Sequence, residues 1–245
     1  MVSKDTRIFS ETLNPEPQTL NPKPYFPSMP HYLDISQWAR RDLFEFFREY
    51  DNPYFNICTR LDITKLKPAV AQVPQATIFL GYQYIALRLV NEIESFRYRL
   101  EDGKVRVYDV IHGGTTVLME NGSFTFAYFD YDVRFSKFVT GALEELARVK
   151  AGDGRLHPKH EDNARIHSTT LPWISFTSFT NARKWRQEDS IPKFAFGRFV
   201  TEGDRVLLPI SIEVHHALMD GYHVGQYLNR FEEILEDPAK VLLEG

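Results

Sequence analysis

An alternating apolar run near the C-terminus constrains the fold of this chain more than any other segment. Residues 210–216 read ISIEVHH, the period of two that a strand requires. The run ends in His215 and His216, and Asp220 and Gly221 follow closely. A histidine has an unperturbed pKa of roughly 6.5, so it can accept a proton at neutral pH. The segment therefore predicts a strand whose end holds a candidate base rigidly.

The remaining periodic segments indicate a mixture of helices and strands. Helices are predicted over 36–50 with Ser36 as the cap, from Pro74 to about 96, over 135–149 and over 222–235. Strands are predicted over 54–63, 115–119, 123–127, 173–179, 193–201 and 206–216, with a hairpin over 96–108 that turns at Asp102-Gly103. Strands and helices do not alternate regularly. This order predicts an α/β protein with helices on one side of a mixed sheet.

Residues 1–30 differ in composition from the rest of the chain. Six prolines fall between Pro15 and Pro30, and TLNPEP is followed by the near-repeat TLNPKP. Because proline fixes φ and lacks an amide donor, this segment is predicted to be an extended or disordered tail, with a docking arm as the alternative. Residues 31–245 are predicted to form a single domain.

Charge and composition exclude several classes of partner. The chain has 245 residues and a net charge of -4. Because it also lacks a run of basic residues, no nucleic-acid partner is predicted. No apolar run approaches the roughly 20 residues of a membrane span, and the N-terminus has no signal-peptide core, so a cytoplasmic protein is expected. Cys58 is the one cysteine, which excludes an intrachain disulfide and favours a strand residue over a nucleophile. His157, His160 and His167 match no standard spacing, so no metal is predicted.

Five sequence blocks together resemble a known family. The pattern H-x-x-x-D-G, starting at His216, is the signature of coenzyme-A-dependent acyltransferases, and HHALMDGYHVG is similar to chloramphenicol acetyltransferases. YLDISQWARRDLFEFF, RLDITKL, FRYRLEDGKVRVYD and LPWISFTSF match further family blocks in the same order, from about residue 31 to 236. The resemblance implies a two-layer α/β sandwich and a homotrimer with active sites at subunit interfaces. It also implies acetyl transfer from acetyl-CoA, a co-substrate rather than a bound cofactor, to a chloramphenicol hydroxyl, which inactivates the antibiotic.

The resemblance also assigns roles to individual residues. His216 matches the general base, whose ring the family orients through its own backbone carbonyl. Asp220 matches an aspartate that makes a structural salt bridge to an arginine, which is Arg40 here, with Arg41 adjacent. Thr169 stands where the family has the serine that stabilises the oxyanion. Ser168 is the alternative hydroxyl, although it would point to the other face of a strand.

Other positions concern the acceptor. Phe55 and Phe124 fall at places that line the acceptor pocket in the family, although either could equally be core. His167 replaces an asparagine and Ala195 replaces a threonine that helps to hold a water. These departures leave two alternatives open. One is acyl transfer to a different small alcohol or amine, and the other is a weakly active homologue that binds a hydrophobic small molecule.

Overall fold

The structure is a computed structural model that describes residues 31–153, 163–183 and 188–244. The predicted N-terminal tail lies outside these residues. The helices are α1 (Arg41–Arg48), α2 (Leu66–Val70), α3 (Ile78–Glu92), α4 (Phe135–Arg148), α5 (Gly221–Glu236) and α6 (Pro238–Leu243). The strands are β1 (His31–Tyr32), β2 (Tyr54–Asp62), β3 (Tyr98–Glu101), β4 (Lys104–Val107), β5 (His112–Leu118), β6 (Phe124–Phe129), β7 (Arg165–Leu171), β8 (Lys193–Gly197), β9 (Val200–Glu202) and β10 (Arg205–His215).

The larger sheet has the order β2-β10-β8-β7-β5-β6, with β9 paired to β10. Strand β10 runs antiparallel to both β2 and β8, whereas β7 runs parallel to β8 and to β5. The prediction of a mixed sheet is therefore confirmed. The strand that leads to the two histidines lies inside this sheet and is buried over nearly its whole length. Strand β8 pairs with it as far as Glu213, and β2 continues the pairing to His215.

Helix α3 covers one face of the sheet and is buried on almost every side. From β7, Ser168 donates a hydrogen bond to Gln83 (3.1 Å) and Thr170 lies 3.2 Å from the hydroxyl of Tyr82, both on α3. Successive strand residues point to opposite faces, so Thr169 points away from α3. Helix α5 joins the same layer, where the Tyr227 hydroxyl donates to the α3 backbone.

The hairpin is confirmed. Strands β3 and β4 pair with Glu101 opposite Lys104, and the turn residues Asp102 and Gly103 have φ of 50° and 71°. Positive φ at both turn positions is the geometry that an Asp-Gly pair favours. Strand β1 adds to β4 and completes a small three-stranded sheet.

The predicted cap at Ser36 is wrong. Asp34 accepts hydrogen bonds from both the backbone N–H (3.0 Å) and the hydroxyl (2.6 Å) of Ser36. This arrangement starts only a single 3-10 turn, Ile35–Gln37, and α1 begins at Arg41. Similarly, α3 begins at Ile78 rather than near Pro74, because Thr77 supplies the capping oxygen.

The predicted strand over 173–179 is also wrong. The strand in this region is β7, which precedes Pro172, and residues 173–179 are irregular. Proline cannot donate to a strand ladder, and here the chain turns so that the N–H of Ile174 bonds the carbonyl of Leu171 (3.2 Å). Thr169 therefore lies on a regular strand.

Candidate active site

His216 lies immediately after β10, and its backbone N–H donates to the carbonyl of Pro53 (2.7 Å), which extends the pairing with β2 by one residue. Its half-buried ring stacks on Phe47 of α1, with centroids 3.7 Å apart and planes 6° apart. The ring of Phe55 packs against it at 4.7 Å. Two aromatic side chains from different elements therefore fix the imidazole plane.

The family's support for the ring, the carbonyl of the histidine itself, is not seen here. The Nδ1 of His216 is buried and has no hydrogen-bond partner among the residues that the structure describes. The His216 carbonyl instead accepts a hydrogen bond from Arg40 (3.4 Å). The ring is therefore oriented by its packing against Phe47 and Phe55.

Arg40, which bonds the carbonyl of His216, also forms an ion pair with Asp220. Their side chains are 14% and 27% exposed, so the pair is partly removed from water. Asp220 also caps α5, because its Oδ1 accepts from the N–H of Tyr222 (3.0 Å), and the ring of His223 closes a capping box. The pair thus joins the start of α1, the backbone of His216 and the first turn of α5.

Neighbouring groups stabilise the ionised form of the Asp220 carboxyl. Burial acts to raise the pKa of the Asp220 carboxyl, but the hydrogen bond and charge of Arg40, together with His223, outweigh burial and lower it. Burial lowers the pKa of His223, which favours its neutral form beside the cap. Asp220 makes no hydrogen bond to the ring of His216, and its contacts are those of a scaffold.

We expect Asp220→Asn to reduce stability and turnover together. The amide keeps a capping oxygen but removes the charge opposite Arg40, so the free energy of unfolding should fall by about 1–3 kcal/mol. Urea unfolding and the steady-state rate measure the two effects. Glu202→Gln is the control, because Glu202 pairs with Arg60 at an exposed site and should change stability by under about 1 kcal/mol. A stable, folded and inactive Asp220→Asn protein would contradict the scaffold role.

His215 points away from His216 into a buried ionic cluster. It is 5% exposed, packs edge-on against Tyr54, and accepts a hydrogen bond at Nδ1 from Ala217 (3.3 Å). Burial and the charge of Arg183 lower the pKa of His215 to about 4. His215 is therefore neutral in the folded protein at neutral pH.

This shift predicts a pH-dependent loss of stability. Below about pH 6.5 the unfolded chain protonates His215 whereas the folded chain resists protonation down to about pH 4. The unfolded state then binds more protons, so stability falls as pH decreases through this window, by about 2 kcal/mol between pH 7 and 4.5. In His215→Asn, which keeps an acceptor for Ala217, that part of the loss should disappear from urea unfolding curves. An identical pH dependence in the two proteins would contradict the assignment.

Thr169 lies on β7, in register with Ala195 of β8, which in turn pairs with Ser211 of β10. Its hydroxyl is 2.7 Å from that of Thr116 on β5. Ala195 is fully buried between the two neighbouring strands, and His167 is exposed on β7. Ser168 lies on the opposite face and bonds Gln83, so it does not share a site with Thr169.

The structure separates the predicted site residues of one chain into two groups. Ser211 lies on β10, and His216 follows it five residues later along the chain. Thr169 lies on β7, which is two strands away from β10 across the sheet. Neighbouring strands are about 4.8 Å apart, and each residue advances about 3.3 Å along a strand. Two strands across and five residues along therefore separate the Cα atoms of Thr169 and His216 by about 19 Å. Phe55, on β2, contacts the ring of His216, whereas Phe124 is 56% exposed on β6 at the opposite edge of the sheet.

A pocket of about 480 Å³ opens at the β2 edge of the sheet, and His216 is not among its lining residues. Phe55 is in its wall and also contacts the imidazole. The other lining residues are mostly polar: Asn52, Tyr54, Asn56, Thr180, Asn181, Ala182, Arg183 and Glu213. Its volume lies in the range of about 300–1,000 Å³ that is usual for small-molecule sites.

One wall of this pocket is a buried ion pair. Arg183 and Glu213 are each 7% exposed and lie 2.8 Å apart, and Arg183 also stacks over the ring of Tyr54 at 4.0 Å. Asp189 bonds both Arg183 (2.9 Å) and Lys193 (3.0 Å), so two positive and two negative charges balance. A rigid, polar surface therefore faces the pocket.

Sequence reasoning missed several of these residues. Phe47 lies within the predicted helix over 36–50, but its stacking on His216 depends on how α1 docks. Arg183 and Glu213 are thirty positions apart in the chain, and no local pattern pairs them. Thr116 lies in the predicted strand over 115–119, but its position beside Thr169 depends on the register of β5 with β7, which the sequence does not specify.

The described residues contain no cluster of histidine, cysteine or acidic side chains arranged to hold a metal ion. Within the same ranges, no helix is both long and apolar enough to cross a membrane.

Comparison with known proteins assigns the chain to a family. The sequence profile of the chloramphenicol acetyltransferases matches residues 30–232. A chloramphenicol acetyltransferase of Proteus mirabilis is 31% identical over 211 residues, which cover 85% of this chain and 95% of the relative. Chloramphenicol acetyltransferase 2 of Escherichia coli is 31% identical over 85% of this chain and 98% of its own length.

Solved structures agree with this assignment. A chloramphenicol acetyltransferase superposes with a TM-score of 0.72 at 27% identity, over 84% of this chain and all of the other. The dihydrolipoamide acetyltransferase of Azotobacter vinelandii has a TM-score of 0.61 at 15% identity over 92% of this chain and 99% of its own, which shows a shared fold. The protein has the fold of coenzyme-A-dependent acyltransferases and is an acyltransferase. It belongs to the chloramphenicol acetyltransferase family.

Proposed function

We propose that this protein transfers an acetyl group from acetyl-CoA to a hydroxyl of chloramphenicol, with His216 as the general base. The observation that carries the proposal is the placement of His216 at the end of a buried strand, with its ring packed against Phe47 and Phe55. Phe55 also lines a pocket. Family membership supplies the reaction class and the substrates. Because acetyl-CoA is an intracellular metabolite, the proposal includes a cytoplasmic location.

The reaction requires one proton to move twice. The imidazole of His216 removes the proton of the acceptor hydroxyl as its oxygen attacks the thioester carbon. The tetrahedral intermediate then collapses, the carbon–sulfur bond breaks, and the imidazolium returns the proton to the departing thiolate. Arg40 and Asp220 hold the backbone of His216 in place and take no proton.

The oxyanion of the intermediate needs a hydrogen-bond donor. The proposed donor is the hydroxyl of Thr169, which points away from α3 and is half-buried. A fixed donor of this kind contributes about 3 kcal/mol to the transition state. The extra methyl of threonine, relative to serine, restricts χ1 and so limits the directions in which this hydroxyl can point.

Two chains are proposed to build each site. A base and an oxyanion donor must lie within a few ångströms of the same carbon, and about 19 Å separates Thr169 from His216 in one chain. A homotrimer in which His216 of one subunit faces Thr169 of the next would bring the two groups together. The same pairing would place the exposed Phe124 against a neighbouring subunit, near the second half of the acceptor site.

Thiol release from acetyl-CoA, measured with and without chloramphenicol, tests the activity directly. Chloramphenicol-dependent release, with one acetyl group added to the drug by mass, is the expected result. No release by a folded protein of trimer mass would exclude chloramphenicol as the acceptor. A mass of one chain by analytical ultracentrifugation would exclude the shared site.

The polar pocket favours a second candidate, acetyl transfer to a more polar hydroxyl acceptor. Arg183, Glu213 and Asn181 offer charged and amide groups where a purely apolar ligand would gain little. Comparing kcat/KM for chloramphenicol with that for alcohols bearing additional hydroxyl or amide groups separates the two. A preference of more than about tenfold for a polar alcohol, about 1.4 kcal/mol, would favour the second candidate.

A further inference from the structure

Two threonine hydroxyls on neighbouring strands, those of Thr116 and Thr169, make a hydrogen bond to each other. Thr116 on β5 and Thr169 on β7 are cross-strand neighbours, since Thr115 pairs with Ser168 in the parallel register. Their Oγ1 atoms are 2.7 Å apart, a normal length for a hydroxyl–hydroxyl bond. Both side chains are half-buried, on the face turned away from α3.

The two hydroxyls carry two protons, and only one of them can lie between the two oxygens. Among the described residues, neither hydroxyl has another hydrogen-bond partner. If Thr116 donates to Thr169, the proton of Thr169 is free to bond an incoming acceptor. In the reverse arrangement the proton of Thr169 is occupied and cannot serve the oxyanion.

We propose that Thr116 is a positioning residue that donates its proton to Thr169 and so directs the Thr169 hydroxyl proton toward the oxyanion. The accepted bond also polarises Thr169 and makes it a stronger donor. This inference rests on the proposed role of Thr169 in acetyl transfer. It adds a second hydroxyl, from a different strand, that touches no substrate and acts only through Thr169.

Thr116→Val tests the inference because it keeps the side-chain shape and removes the hydroxyl. We expect kcat to fall about 3- to 30-fold with both KM values unchanged, and Thr116→Ser to restore it. In a Thr169→Val background, Thr116→Val should have no further effect, because the hydroxyl through which it acts is gone.

Thr115→Val is a matched control on the same strand. Thr115 is 1% exposed, faces the other side of the sheet, and its hydroxyl has no hydrogen-bond partner among the described residues. Its replacement should leave kcat unchanged. Urea unfolding of all variants separates loss of function from loss of fold.

Three results would overturn the inference. The first is wild-type kcat in Thr116→Val while Thr169→Val is impaired. The second is a multiplicative effect in the double variant, which would show that Thr116 acts independently of Thr169. The third is an equal loss in Thr115→Val, which would show a general disturbance of β5. By contrast, a wild-type protein without acetyl transfer, or an unimpaired Thr169→Val, would refute the proposed function itself.

Discussion

His216→Ala is expected to lower kcat for chloramphenicol acetylation by at least about 100-fold, because a positioned base contributes about 10²- to 10⁴-fold. The ring makes no side-chain hydrogen bond among the described residues, so its removal breaks no polar network. It does remove a stacked contact with Phe47, and for that reason stability must be measured alongside the rate. Thiol release under saturating acetyl-CoA gives kcat, and urea unfolding gives the stability.

His215→Asn is the control for this result. It removes the neighbouring imidazole, which packs against Tyr54 on the opposite side of β10 from His216 and is not placed to take the acceptor proton. Activity at neutral pH should therefore stay within about threefold of wild type. A His216→Ala protein that keeps more than a tenth of the rate would contradict the assignment of the base. So would a His215→Asn protein that is folded and loses activity to the same extent.

Thr169→Val is expected to lower kcat by about 100-fold with little change in KM, because the oxyanion donor acts only once charge develops on the thioester oxygen. Valine keeps the branched shape at the β-carbon, so packing beside Ala195 is preserved. Steady-state kinetics in both substrates provide the measurement.

Thr169→Ser is the matched control, since it keeps the hydroxyl and removes only the methyl. We expect it to retain at least about a third of the wild-type kcat. Wild-type turnover in Thr169→Val would contradict the role of the hydroxyl. Equal losses in the valine and serine variants would show that the methyl, through packing, matters more than the donor.

The sequence predicted the strand and the histidines because their signals are local. Alternation over β10, the Asp-Gly turn and the periodicity of α4 and α5 each span only a few residues, so they can be read without the tertiary structure. Errors occurred where one residue decides between local alternatives. Strand β7 ends before Pro172. The hydroxyl of Ser36, which was expected to cap a helix, instead donates a hydrogen bond to Asp34.

The site was harder to predict because its residues meet through long-range pairing. The pairing of Arg40 with Asp220 was expected from the family resemblance, whereas the stacking of Phe47 on His216 depends on the docking of α1 against the end of β10. The pocket wall formed by Arg183 and Glu213 has no periodic signature. The separation of Thr169 from His216 follows only from the strand order, which hydrophobic patterning does not specify.

Each acetyl-transfer site is proposed to combine His216 of one chain with Thr169 of another. Co-expressing His216→Ala with Thr169→Val, each inactive alone, tests it most directly. In a mixed trimer one of the three interfaces keeps both native residues, so the mixture should recover about a quarter of wild-type activity. Mixed oligomers, identified by mass, that stay as inactive as either parent would contradict the shared site.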